Sequence, residues 1–156
     1  MSVTNPPQGY HTVTPYLVLD DSAAAIEFYR KVFGAEELFR FEQEGRIGHA
    51  ELRIGDSQIM ISDEWPEFGY RSARNIGATP VSLMIYVPNV DEVHARALAA
   101  GATERSPVQD QFYGDRSGNI TDPFGHQWTI ATHVKDVPAD EMQRLFRESM
   151  AAMEAK

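Results

Sequence analysis

His49 and Glu51 stand two residues apart in the run IGHAELRIGD. On an extended strand, residues i and i+2 share a face with Cα atoms about 6.5–7 Å apart, so one ligand can bridge an imidazole and a carboxylate. Leu52 and Ile54 take the alternate positions. They mark the packed face and turn His49 and Glu51 toward the other. Such a pair can serve as an acid/base couple, hold a polar ligand or furnish two ligands of a metal. The plainer alternative is a solvated strand face, or a histidine bonded to its neighbouring carboxylate. A second charged pair is Asp115-Arg116. Its guanidinium can clamp a carboxylate or phosphate in bidentate fashion, and a local Asp–Arg bridge is the competing reading. His126 follows a turn glycine and is expected to complete turn hydrogen bonds. His11, His94 and His133 fall in a tail, on a helix and at a strand end, where surface placement is expected. The chain holds no P-loop, GxSxG elbow, HExxH or GxGxxG.

These residues need strands to hold them, and the pattern supplies two similar sets. Thr14 to Leu19 reads as a strand. Asp21-Ser22 caps a helix from about Ala23 to Phe33, with Ile26, Tyr29, Val32 and Phe33 as its apolar stripe and Gly34 as its stop. Strands follow at Glu37–Gln43, Ile47–Ile54 and Gln58–Ser62, the last two joined through Gly55-Asp56. After a connection holding Trp65, Phe68 and Tyr70, the order returns: a strand over Pro80–Val87, a helix from Asn89 or Asp91 to about Ala100, then Gly101-Ala102 echoing Gly34-Ala35. A hairpin spanning Tyr113 to His133 closes the second set about the turn Asp122-Pro-Phe-Gly125. Within it Ile120, Trp128 and Ile130 share one face, and Ser117, Asn119, Gln127 and Thr129 the other. The chain is read as two βαβββ modules, an α+β fold. Val137 to Ala155 is predicted to be a further helix with Met142, Leu145, Phe146, Ser149, Met150 and Met153 in one stripe.

Composition sets the outer limits. The chain has 156 residues, 42% hydrophobic and 24% charged, the profile of one ordinary globular domain. Without cysteine there is no disulfide, thiol nucleophile or thiolate metal site. A net charge of −9 argues against nucleic-acid or anionic-membrane partners. With no signal-like start and no long apolar run, the expected location is the cytoplasm.

The stretches TPYLVLDDSAAAIEFYRKVFGAEE and DPFGHQWTIATH, on paired βαβββ modules, resemble the vicinal oxygen chelate (VOC) superfamily. That group includes glyoxalase I, extradiol dioxygenases, methylmalonyl-CoA epimerase, and the fosfomycin- and bleomycin-resistance proteins. Within it, HAELRIGDSQIMISDE followed by YGDRSGNITDPFGHQW is similar to the PhnB-like branch. The resemblance covers about residues 12–134 and implies a cup-shaped sheet with the helices outside. With residues 1–11, which carry two prolines and little apolar content, read as a loose, flexible tail and the striped segment 137–156 as a C-terminal helix, a single VOC domain is expected over 12–136. The domain comprises module one (about 12–63), a connection (64–78) and module two (about 79–136). The resemblance also implies a divalent metal held by His and Glu side chains on four strands. Placed by register, those positions are Thr14, Met60, Ser82 and Thr129, none of them His, Asp or Glu. Neutral hydroxyls and a thioether do not make such a site, so neither metal nor other cofactor is expected.

The leading reading is therefore a small-molecule-binding protein, like the bleomycin-resistance members. Its ligand set is Tyr16, His49, Glu51, Met60, Ser82, Met84, Tyr86, Arg116, Asn119 and Thr129. Two alternatives stand beside it: a lyase, isomerase or glyoxalase-like enzyme using His49 and Glu51, and a structural or regulatory dimer with a vestigial cup. A homodimer is expected, because superfamily members with two modules per chain commonly pair.

Overall fold

A computed structural model describes residues 2–156. Strand β1 (Tyr16–Leu19), helix α1 (Ser22–Phe33) and strands β2 (Glu36–Gln43), β3 (Arg46–Ile54) and β4 (Ser57–Asp63) form the first module. A 3-10 turn (Pro66–Phe68) and the short helix α2 (Ala73–Ile76) lead to the second. It comprises β5 (Ser82–Tyr86), α3 (Val90–Ala99), β6 (Thr103–Asp110), β7 (Asp115–Thr121) and β8 (Gln127–His133). Helix α4 (Ala139–Glu154) closes the chain.

Each module contributes a four-stranded mixed sheet, β1-β4-β3-β2 and β5-β8-β7-β6, in which only the first strand runs parallel to its neighbour. The expected βαβββ repeat is present in both halves, and the backbone ladders stay separate. The repeat extends to register. Tyr16 lies beside Met60, which lies beside Glu51, which lies beside Phe39. The matching row of the second sheet runs Met84, Thr129, Asn119, Ser106.

Local chemistry sets the helix ends. The Asp21 side chain accepts the Ala24 amide at 3.0 Å, and Gly34, at φ +68°, closes α1 onto the Arg30 carbonyl. Asn89 caps α3 in the same way through the Glu92 amide. Both helices pack on one face of the sheets. Leu17, Leu19, Leu52 and Ile61 from the first sheet share a single core with Ile120, Trp128 and Ile130 from the second. The other face of each sheet is left open.

The two modules are fastened by Asp122, which is 3% exposed. Its Oδ1 accepts the amides of Phe124 (2.9 Å) and His126 (3.0 Å), closing the turn. Its Oδ2 accepts the Tyr29 hydroxyl from α1 (2.7 Å) and Trp128 Nε1 (2.9 Å). One carboxylate therefore holds a second-module hairpin to a first-module helix. Burial first, and then the Asp122 charge, raise the Tyr29 pKa well above the ordinary phenol range, so the hydroxyl remains a donor.

His94 departs from the sequence expectation. It is buried at 4% exposure, not on the surface, with Nε2 2.9 Å from Glu104 Oε2. Gly118 makes the room: a Cβ there would lie 2.7 Å from the imidazole. A helix histidine can turn inward only where the opposing strand has no side chain.

Candidate functional site

On the open face of the first sheet, β3 sets His49 and Glu51 side by side. Tyr16 Oη lies 2.9 Å from His49 Nδ1, and His49 Nε2 lies 3.2 Å from Glu51 Oε1. Tyr10, from the segment before β1, donates its hydroxyl to Glu51 Oε2. A neutral imidazole protonated at Nε2 satisfies the whole series: Tyr16 donates to Nδ1, and Nε2–H donates to the carboxylate. Burial, together with the hydrogen bond and charge of Glu51, raises the Tyr10 pKa far above the ordinary phenol range.

Aromatic rings surround this pair. Register sets Phe39 opposite Glu51 and Phe41 opposite His49. The rings of Tyr16, Phe39 and Phe41 have centroids 5.6, 5.9 and 6.2 Å from that of His49. They are 46%, 40% and 66% exposed, unusual for large apolar groups clustered on one face.

The second sheet presents an uncharged polar face. Thr129 donates to Asn119 Oδ1 and Asn119 Nδ2 donates to Ser106 Oγ, each at 2.6 Å. With Ser82 and Arg105 they line a shallow hollow of about 280 Å³. A larger groove of about 630 Å³ follows the seam between modules, walled by Met84, Tyr86, Leu83, Phe33 and Ile59, with His11 and Val13 at its border.

The expected ligand set is thus distributed over three places. Tyr16, His49, Glu51 and Met60 form the first, Ser82, Asn119 and Thr129 the second, and Met84 and Tyr86 the third. Arg116 belongs to none. It faces the helix side, where its guanidinium pairs with Asp91 of α3 at 2.9 Å and with Asp110 at 3.2 Å. Alternation along β7 separates it from Asp115, so no local Asp115–Arg116 bridge forms. Asp115, 4% exposed, instead accepts the Tyr86 hydroxyl at 3.0 Å and lies 2.7 Å from His133 Nδ1. Of the four positions placed by register, Thr14 and Ser82 do not share a row with Met60 and Thr129. The ladder places Tyr16 beside Met60, and Met84 rather than Ser82 beside Thr129. A slip of two residues keeps the face and changes the row.

The tail is not wholly loose either, since Tyr10 reaches Glu51. Nothing in the local pattern of MSVTNPPQGYH announces that contact. Phe39 and Phe41 were legible as alternating aromatics in the run ELFRFEQ, opposite a strand already assigned its polar face. In the connection, the Arg46 guanidinium lies 3.8 Å above the Trp65 ring, which packs that end of the loop down, while Phe68 and Tyr70 stay exposed.

His133 is bonded on both sides, to Asp115 and, 2.9 Å from Nε2, to Asp136. These hydrogen bonds, Asp115 first, raise its pKa above the ordinary imidazole value. A raised folded-state pKa contributes stability that is fully present below the unfolded value of about 6.5 and is lost as pH rises through the folded value. The Tm of the wild type minus that of His133→Gln is therefore expected to be largest near pH 6 and to shrink by about pH 9. A difference that grows with pH would contradict this pairing.

The sequence profile of the Glyoxalase/Bleomycin resistance protein/Dioxygenase superfamily matches residues 10–130. The chain belongs to that superfamily. An uncharacterized protein of Mycobacterium bovis is 43% identical over 135 residues, 84% of this chain and 89% of that protein. Among solved structures, TioX from Micromonospora is 28% identical, with a TM-score of 0.62 over 82% of this chain and 100% of that one. A PhnB protein from Bacillus cereus shares the fold at 21% identity, with a TM-score of 0.61 over 78% of this chain and 99% of that one.

The VOC superfamily's divalent metal does not fit the residues present. Tyr16 with Met60, and Met84 with Thr129, occupy the strand rows where carboxylates and imidazoles are needed. Among the described residues no three His, Cys, Asp or Glu side chains lie close enough to hold an ion. No helix among the described residues is long and apolar enough to cross a membrane.

Proposed function

We propose that this superfamily member binds a small organic molecule on the open face of its first sheet, without a metal, as a cytoplasmic homodimer of the PhnB-like branch. The observation that carries this is the hydrogen-bonded series Tyr16–His49–Glu51–Tyr10 set among exposed aromatic rings. Binding is favoured over turnover because both ring nitrogens of His49 are engaged, by Tyr16 and by Glu51. A general base needs a free nitrogen within reach of the substrate proton.

The test is binding by purified protein. Isothermal titration against a panel of small molecules is expected to find saturable ligands. His49→Ala and Glu51→Ala are expected to weaken them by at least about tenfold, the loss of one hydrogen bond to a charged group. The melting temperature should remain close to that of the wild type, because neither side chain belongs to the core. Variants that bind as the wild type does would move the site elsewhere on the molecule.

A further inference from the structure

We propose that the aromatic-walled carboxylate of the first sheet is a site for an organic cation, a substituted or quaternary ammonium carried on a flat apolar group. The inference rests on the binding reading above and names the chemical class of its ligand.

Charge is the first argument. Among the described residues, the only ion-pair partner of Glu51 is His49, at 3.2 Å. A neutral His49 protonated at Nε2 satisfies that contact, and the Tyr10 hydroxyl is a neutral donor. Neither is a fixed cation of the kind Lys or Arg would supply. The arginines of the surrounding strands are engaged elsewhere: Arg40 with Glu37 and Glu42, Arg53 with Glu36, and Arg46 on Trp65. Glu51 thus faces no Lys or Arg side chain among the described residues, and its own side chain is only 14% exposed. The net charge of −9 adds a field that attracts cations and repels anions.

Shape is the second. Tyr16, Phe39 and Phe41 surround the His49 imidazole bonded to that carboxylate, with Phe39 opposite Glu51 in register and Phe39 and Phe41 centroids 5.3 Å apart. Ring faces carry negative quadrupole potential, so an ammonium beside them gains from each ring as well as from the carboxylate. An inorganic cation or a primary alcohol would leave the apolar walls unused. A carboxylate ligand would face Glu51 with no arginine to offset the repulsion. Two of about four acceptor positions on Glu51 are taken, by His49 and Tyr10, which leaves room for the cation without displacing either. The hydrogen-bonded pair then acts to hold the carboxylate in place.

Three matched probes separate charge from shape: benzyltrimethylammonium, its neutral isostere neopentylbenzene, and benzoate. Titration calorimetry on the full chain is expected to show saturable binding of the cation only, weakened by added salt. Glu51→Gln, which keeps the side-chain shape, is expected to weaken it at least about 20-fold. Phe41→Leu, at an exposed position, is expected to weaken it about threefold to fivefold. Circular dichroism confirms that each variant is folded. Binding of the neutral probe as tightly as the cation, or a Glu51→Gln variant that binds benzyltrimethylammonium like the wild type, overturns the proposal. If neopentylbenzene or benzoate binds and is lost with His49→Ala, the site stands and only its cation preference falls. If the cation fails to bind, the proposal falls with it.

Discussion

Replacing Asp122 by alanine is expected to destabilise the protein by about 3–5 kcal/mol, as four donors lose one buried acceptor. The Tyr29 hydroxyl, Trp128 Nε1 and the Phe124 and His126 amides all converge on this carboxylate. Removing it leaves the Tyr29 and Trp128 donors in the buried aromatic core they share, with centroids 5.5 Å apart. Asp122→Asn keeps the Oδ1 acceptor for the turn but presents an amide to Trp128 Nε1, which can only donate. Its cost is expected to be about half as large. Urea denaturation followed by circular dichroism measures both, and the alanine variant should melt about 10 °C or more below the wild type. A loss under about 1 kcal/mol would mean that the modules are held by apolar contact alone.

That carboxylate also shows what a sequence reading can and cannot reach. The turn Asp122-Pro-Phe-Gly125 is local, written in residues whose backbone preferences are fixed by their own chemistry, and it forms where expected. The repeat of strand, helix and glycine stop is legible for the same reason, down to Gly34 at φ +68°. The reach of Asp122 to Tyr29 crosses 93 residues, and no local preference encodes it. The candidate site divides along the same line. Period two turned His49 and Glu51 to one face. It could not supply Tyr10, which arrives from an irregular segment, or show that Arg116 would find Asp91 across the helix layer. His94 failed for a related reason. Its burial depends on an absent side chain at Gly118, on a strand that only the fold brings near.

Substituting Phe146 and Met150 of α4 together by glutamate is expected to convert a dimer into a monomer. No residue of α4 is buried, and Phe146, Met150 and Met153 are 48%, 41% and 69% exposed. The stripe expected to pack is only half covered by its own chain, with Phe112 meeting Phe146 at a centroid distance of 6.2 Å. A compact monomer of 17.5 kDa has about 7,900 Å² of accessible surface. This chain has 9834 Å². The excess, about 1,900 Å², lies within the range that one subunit of an obligate dimer covers. Two such substitutions at the centre of an apolar contact are expected to weaken association at least about 100-fold. The far-ultraviolet spectrum should stay unchanged, because α4 contributes nothing to the core. Sedimentation velocity at micromolar protein reads the result directly. A wild type that sediments as a monomer, or a double variant that still sediments as a dimer, would show that α4 is not the contact.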